Sequence, residues 1–383
     1  MGVKGQSKMN MLLIKNLILI AKAFGYGTQI AFKVYAKLKE NDALCLEREK
    51  LAAFLSDNEK AKLLRVEAEF TDKVLSECKA ENIKIITIED DDFPDRLRNI
   101  PAPPLVLYCK GELPEIDNEP TFCIVGPRKV SDFGAKASYS LSARLSRAGF
   151  IIVSGGAVGT DSFAHKGALK YGGKTIAVLG CGIGYDYLPE NEGMRKEIEK
   201  SCCLITEYPP RFPANKFTFP ARNRLMSGLS LGVAVIEAGV KSGALITARH
   251  AAEQGKDVFV IPGNPTLKHY KGSNQLLRDG AKPLLDASDV FGEYIYQFAD
   301  KINIAKAFEK TEIEKSNKKI EKNFDETLSN EAKIVYNYLD KQKFTADDLL
   351  GLGLDDNELL SALTELEMEG VIKAQAGGVY ILV

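Results

Sequence analysis

The run Phe217-Thr-Phe-Pro-Ala-Arg-Asn-Arg-Leu-Met226 carries the densest chemistry in the chain. Phe217, Phe219, Arg222, Asn223 and Arg224 lie within eight residues, directly ahead of the apolar stretch Val233–Ile236. Guanidinium forks grip phosphate or stack on bases, and phenylalanine rings are platforms for unpaired bases. Pro220 suits the first helical position, which would put Arg222 and Arg224 in the first turn. Cations there oppose the helix dipole, so an anionic partner is expected to offset them. The plainer reading makes the phenylalanines core and the arginines ion-paired.

Two upstream loops have related chemistry. The apolar Phe122–Val125 runs into Gly126-Pro-Arg128-Lys129, where a glycine lets an anion approach and Arg128 can hold it. The same pattern is also an ordinary structural turn. Ile152-Val-Ser154-Gly155-Gly156-Ala-Val-Gly159-Thr-Asp161 gives a tight glycine loop feeding a helix to Leu169. Amides of Gly155 and Gly156 at that helix start favour an anion. The spacing is not G-x-G-x-x-G, which disfavours a dinucleotide, and no cofactor is expected. Asp161 reads as a helix cap, His165 as a packed helix residue, and Lys166 as a phosphate contact. Glu207 and Glu237 at strand ends could do acid–base work, but more commonly such carboxylates order loops. No Ser/His/Asp set, Walker motif or metal-ligand spacing accompanies them, so no enzyme activity is expected.

These loops need a scaffold that presents strand ends together. Short apolar runs alternate with helical stretches from Ile83 to about Val290: 85–88, 105–108, 122–125, 151–154, 175–179, 204–207, 232–237 and 257–261. Runs apolar on both faces, such as Ile176-Ala-Val-Leu179, suit a covered parallel sheet. The expected fold is α/β, an extended Rossmann-like, doubly wound and mostly parallel sheet over 83–299. Residues 9–80 read as a helical module, two helices broken at Phe24-Gly-Tyr-Gly27, resembling a SAM or helix-hairpin-helix unit, or a plain helical cap. Residues 300–324 read as a charged linker. Residues 325–383 read as three helices and a hairpin turned at Gly377-Gly378, the winged-helix order.

The net charge of −1 over 383 residues hides an asymmetry. Residues 325–383 carry 12 Asp/Glu against 4 Lys/Arg, which leaves 47 basic and 40 acidic residues ahead of them. The body suits an anionic polymer, whereas the tail is repelled by one and is expected to contact protein instead. Seven cysteines without a CxxC pair suggest reduced thiols, and three histidines argue against zinc. The apolar Met11–Ala23 is interrupted by Lys15, Asn16 and Lys22, so neither a signal peptide nor a membrane partner is expected and the location is read as cytoplasmic.

Taken in order, the motifs resemble the DprA/Smf (DNA-processing protein A) family. The likeness runs through Phe93-Pro94, Pro103-Pro-Leu-Val-Leu-Tyr108, Ile124-Val-Gly126 with Arg128, and Ser154-Gly155 with Gly159 and Asp161. It continues with Ala164-His165, Thr175-Ile-Ala-Val-Leu-Gly-Cys-Gly182, Pro189-Glu-Asn191, Glu207-Tyr-Pro209 and Phe219-Pro-Ala-Arg-Asn-Arg224. It closes with Glu237-Ala238, Ser242-Gly243, Pro262-Gly263, Gly272-Ser-Asn274 and Asp279-Gly-Ala281. The resemblance implies an extended Rossmann domain that binds and protects single-stranded DNA. It further implies a homodimer that loads the RecA recombinase during natural transformation. The DNA contacts the resemblance implies are Arg128, Lys166, Lys216 and Phe219 beside Arg222 and Arg224, and the reading of the loops adds Gly126, Ser154, Gly155, Gly156 and Asn223. Pro127 departs from the family's Ser or Thr, and Val158 from its frequent arginine. The glycine–threonine loop also resembles the lysine-decarboxylase-like nucleoside-monophosphate phosphoribohydrolases, but Phe163 stands where they carry glutamate.

Overall fold

The computed structural model describes residues 3–309, 328–339, 343–349, 352–375 and 378–382. Of the expected linker 300–324, residues 304–308 instead form a short helix with Ile302 and Ala307 buried, and 310–324 lie outside the described residues, as do Lys341, Leu350, Gly377 and Val383 of the expected C-terminal elements. The chain forms two compact units, Met1–Phe308 and Glu309–Val383.

The larger unit opens with α1 (Val3–Phe24), α2 (Gln29–Glu40), α3 (Arg48–Ala52), α4 (Asp57–Leu64) and α5 (Phe70–Ala80). The break after α1 needs glycine, since Gly25 and Gly27 have φ of +99° and +64°. Thr28 then caps α2 by accepting the Ala31 amide at 3.1 Å. Asn16, buried on α1, donates to the carbonyls of Leu44 and Leu46, both at 2.8 Å, and ties down the loop leaving α2.

The sheet follows with β1 (Lys84–Thr87), β2 (Val106–Gly111), β3 (Thr121–Val125), β4 (Ile151–Ser154), β5 (Thr175–Val178), β6 (Cys203–Thr206), β7 (Gly232–Val235), β8 (Asp257–Val260) and β9 (Lys282–Pro283). Its spatial order is β1-β2-β6-β5-β4-β3-β7-β8-β9. The strands from β6 across to β9 are parallel, while β1 and β2 extend one edge antiparallel. All eight expected strands are present within two residues at their starts, and the two-residue β9 was not expected. It pairs through only Lys282 and Pro283, too short for a period to register.

Helices α6 (Asp95–Arg98), α7 (Asp132–Arg147), α8 (Thr160–Lys170), α9 (Glu192–Ser201), α10 (Thr218–Leu229), α11 (Ala244–Glu253), α12 (Lys271–Arg278), α13 (Ala287–Tyr294) and α14 (Ile304–Phe308) complete the unit. Alternation along β3 divides its side chains between two cores. Phe122 and Ile124 join Leu145, Ala164 and Phe291 on the face covered by α7, α8 and α13. Cys123 and Val125 join the other core, which includes α10, α11 and the N-terminal helices through Leu17, Ile20 and Leu38. The helical segment and the sheet thus bury one continuous apolar surface.

From β3 the sheet grows outward through β4, β5 and β6. The chain then crosses through α10 to the opposite flank of β3 and lays down β7, β8 and β9. Loops leaving β3 and β7 therefore diverge, which opens a crevice at their carboxyl ends.

The smaller unit contains α15 (Asn330–Tyr338), β10 (Lys343–Thr345), a 3-10 turn (Ala346–Leu349), α16 (Asp356–Met368), β11 (Ile372–Gln375) and β12 (Val379–Leu382). Two of the three expected helices and the hairpin are seen over the described residues, the third giving only the 3-10 turn, and β10 adds a third strand in the order β10-β12-β11. Leu359, Ala362, Leu363 and Leu366 of α16 close its core against Ala332 and Val335.

Replacing Asn16 by Ala would leave the buried Leu44 carbonyl and the half-buried Leu46 carbonyl without their donor. We expect the urea stability of the larger unit to fall by about 1–3 kcal/mol, with far-ultraviolet dichroism unchanged.

Candidate anion-binding crevice

The loop after β3 and the start of α8 are pressed together. A Cβ on Gly126 would stand 2.4 Å from Thr160 Oγ1, and one on Gly159 would stand 2.4 Å from the Arg128 carbonyl. Thr160 donates both its amide and its hydroxyl to the Pro127 carbonyl, each at 3.2 Å. Gly159 also has φ of +81°, so only glycine suits that position. This contact aims Arg128 outward at the crevice mouth.

The glycine loop after β4 does not offer its amides to the crevice, as the sequence suggested. The Gly156 N–H donates to His165 Nε2 at 3.2 Å, and the Ala157 N–H reaches Asp161 Oδ2 at 3.4 Å. Gly155 also donates its amide to Asp161. Ser154 donates its hydroxyl to the Ile124 carbonyl at 2.7 Å, stitching β4 to β3. His165 is a buried structural residue. Its Nδ1 meets Thr175 Oγ1 at 2.7 Å, and that hydroxyl is donated onward to the Ile152 carbonyl at 2.8 Å. Nδ1 therefore carries the proton and Nε2 accepts. Burial, with the positive charge of Arg222 nearby, pushes His165 down to about 3.

Helix α10 begins at Thr218, two residues ahead of the expected Pro220 start. Asn215 Oδ1 accepts the amides of Phe217 and Thr218 at 2.9 and 3.2 Å, a local side-chain turn that competes with the proline signal. Arg222 and Arg224 are both buried, and they point to different places. Arg222 donates through Nη1 to the Val178 carbonyl, and its guanidinium lies against Gly155, where a Cβ would be 2.2 Å away. Its Nε has no partner among the described residues. Burial raises the Asp161 carboxyl, and the charge of Arg222 is the main effect pulling it back. Arg224 instead donates to Glu207 Oε2 at 2.5 Å, in a pair sealed from solvent. A Cβ on Gly27 would fall 2.0 Å from Arg224 Nη2, so the glycine turn between α1 and α2 closes over this pair. Tyr26 of that turn packs edge-on against Tyr208 and Phe212 at 5.4 and 5.2 Å. The anions expected to balance these arginines are thus, in part, carboxylates of the same chain.

The groups left open form the mouth. Arg128 is exposed and stacks over the Phe219 ring at 5.0 Å. Phe219 rests on Gly180 and against Tyr187, with ring centroids 5.2 Å apart. The crevice beneath encloses about 600 Å³, and its walls include Gly126, Arg128, Asp161, Phe219, Arg222 and Asn223. Asn223 donates to the Gly243 carbonyl at 3.3 Å, fixing the far wall at the start of α11.

Lys241 and Lys268 also line the crevice, and the sequence reading passed over both. Lys241 follows β7 at a strand's carboxyl end, which was a usable signal. Lys268 stands in a 3-10 turn with no local mark. Lys166, Lys216 and Arg224 lie outside the crevice lining. Lys216 is exposed over the ring of Phe217, itself 72% exposed, and Lys166 lies over Phe163. Neither strand-end glutamate lines the crevice either. Glu237 accepts the amide and hydroxyl of Ser131, the cap of α7, and the Tyr270 hydroxyl at 3.0 Å. Among the described residues no cluster of acidic, His or Cys groups is placed to hold a metal, and no helix is long and apolar enough to cross a membrane.

Two outcomes test this architecture. His165 is neutral in the fold while the unfolded chain protonates near 6.5, so stability is lost as pH falls from that value toward about 3. At pH 5 the loss amounts to about 2 kcal/mol, and His165→Asn should flatten this part of a urea-midpoint profile against pH. Glu207→Leu would leave Arg224 buried and unpaired, with a fall of about 3–5 kcal/mol expected in chemical denaturation.

A doubly wound, mostly parallel sheet with a crevice at its strand ends, lined by Arg128, Lys241 and Lys268, defines a Rossmann-like α/β protein. The chain belongs to the DNA recombination-mediator protein A family, whose sequence profile matches residues 84–295. It is 39% identical over 219 residues to protein Smf of Synechocystis, a match covering 56% of this chain and 55% of that protein. It is 40% identical over 208 residues to DNA processing protein DprA of Streptococcus pneumoniae, covering 54% and 73% of the two chains. The chain thus spans about half the length of the Synechocystis relative. The X-ray structure of the S. pneumoniae protein aligns with a TM-score of 0.64 at 33% identity, over 73% of this chain and 97% of that one. A Helicobacter pylori DNA processing protein A structure, described for its single-stranded DNA binding mode, aligns with a TM-score of 0.51 at 30% identity, over 57% and 98%.

Proposed function

We propose that this protein binds single-stranded DNA across the crevice at the carboxyl ends of β3 and β7, and through it mediates recombination. The observation that carries the reading is Arg128 stacked on Phe219 at the mouth. A guanidinium and an aromatic face within 5.0 Å offer one phosphate contact and one base platform side by side. The H. pylori relative's single-stranded DNA binding supports the same ligand class. Phosphates meet side chains rather than loop amides: Arg128 first, then Lys241 and Lys268 inside, with Lys216 and Lys166 extending the path. Arg222 adds positive charge from below. Gly126 and Gly155 serve by permitting close packing and Gly156 by its φ of +66°, while Ser154, Asn223 and Arg224 hold the strands and α10 in place.

Such a surface reads backbone and stacking, not base edges, so binding is tolerant of sequence and sensitive to salt. Duplex DNA keeps its bases stacked internally and gains nothing from Phe219. Handing the bound strand to a RecA recombinase, dimerisation of the chain, a cytoplasmic location and a winged-helix-like fold for the smaller unit complete the proposal on the strength of the family. A ribosyl hydrolase is not favoured, because Glu207 and Glu237 are both committed to internal partners away from the crevice.

Fluorescence anisotropy with single-stranded and duplex oligonucleotides of equal length, across a salt series, tests this directly. Phe219→Ala should weaken single-strand binding by about 1–3 kcal/mol. Arg128→Ala should also weaken it and lower the slope of log affinity against log salt by about 0.7. Equal affinity for duplex, or indifference to both substitutions, would refute the reading.

A further inference from the structure

We propose that the outer face of α16 in the smaller unit is a docking site for a cationic amphipathic helix of a protein partner. The inner face of α16 buries Leu359, Ala362, Leu363 and Leu366. A second stripe runs opposite, through Asn357, Leu360, Ser361, Thr364 and Met368, along an open groove of about 510 Å³. Leu360 and Met368 are 60% and 84% exposed although both are large and apolar. Thr364 donates its hydroxyl to the Leu360 carbonyl at 2.8 Å and so offers the stripe its methyl group rather than a free donor, leaving Asn357 and Ser361 as its polar members.

The charge beside the stripe decides what covers it. Asp356, Glu358, Glu365, Glu367 and Glu369 flank it, and Asp356–Met368 contains no lysine or arginine. Residues 325–383 as a whole carry 12 acidic and 4 basic residues. DNA phosphates would meet carboxylates at every approach to this helix, so it cannot work as a groove-reading helix. A helix with aliphatic residues at i, i+3, i+4 and i+7, bordered by Lys and Arg, matches both the stripe and its rim. Met368 can repack around different aliphatic side chains. The inference does not depend on the crevice or on what it binds.

The probe is a labelled synthetic helix of about five turns, with leucines at that spacing and lysines elsewhere, together with a scrambled peptide of the same composition. Binding to the full chain is measured by anisotropy at two salt concentrations. The ordered peptide should bind more tightly than the scrambled one. The double variant Leu360→Ser/Met368→Ser should weaken the ordered peptide about tenfold, with dichroism and single-strand DNA binding unchanged. Glu367→Gln/Glu369→Gln should weaken it as well and reduce its salt dependence. Equal binding of both peptides would reduce the effect to bulk charge and overturn the proposal. So would an unaffected double variant, or labelled duplex DNA that binds wild type and is lost in the double variant.

Discussion

Arg222 is a buried cation, and much of the crevice is organised to tolerate it. Its guanidinium lies among the end of β5, the glycine loop after β4 and the first turn of α8, donating to the Val178 carbonyl and balanced by the charge of Asp161. An ion removed from water needs compensation from groups already fixed in place. Gly155 must lack a side chain so that Arg222 can lie there. Asp161 must be held by the loop amides, and His165 must hold Gly156. The helix carrying Arg222 is thereby locked against three other elements, and Phe219 is set on the same helix three residues earlier. One buried charge thus couples the position of the half-buried aromatic at the mouth to the centre of the sheet.

A second buried pair extends this coupling outward. Arg224 and Glu207 tie α10 to the end of β6, and the Gly25–Gly27 turn covers them. A glycine hairpin could in principle present its amides to a phosphate. Here Tyr26 packs onto Tyr208 and Phe212 and Gly27 onto Arg224, so the hairpin works as an internal clasp. The helical segment accordingly supports the helix that carries the mouth of the crevice. This accounts for the single apolar core that it shares with the sheet.

The sheet was legible because parallel strands covered on both faces read as short, uninterrupted apolar runs, and each such run became a strand. The place of Arg128 beside the end of β3 was legible from the strand–glycine pattern, whereas its position over the Phe219 ring was not. What could not be read was direction. Arg222 and Arg224 are two apart in sequence yet serve different carboxylates, since a helix turns about 200° between such positions. The glycine loop looked open to an anion, because nothing local reveals that His165 and Asp161 fold back onto its amides. Lys268 reaches the crevice only through tertiary packing, so its 3-10 turn carried no sign of it. The start of α10 was displaced because Asn215 caps from outside the helix, a local hydrogen bond that outweighed the proline.

The central claim is that an unpaired base rests on Phe219 while its phosphates face the basic mouth of the crevice. Photocrosslinking of an oligonucleotide carrying 5-iodouracil, followed by mass spectrometry of the adducts, asks which ring the base touches. The account predicts an adduct on Phe219, lost in Phe219→Leu and suppressed by high salt. Adducts confined to the smaller unit, or to the larger unit's surface away from residues 126–129 and 216–224, would contradict it.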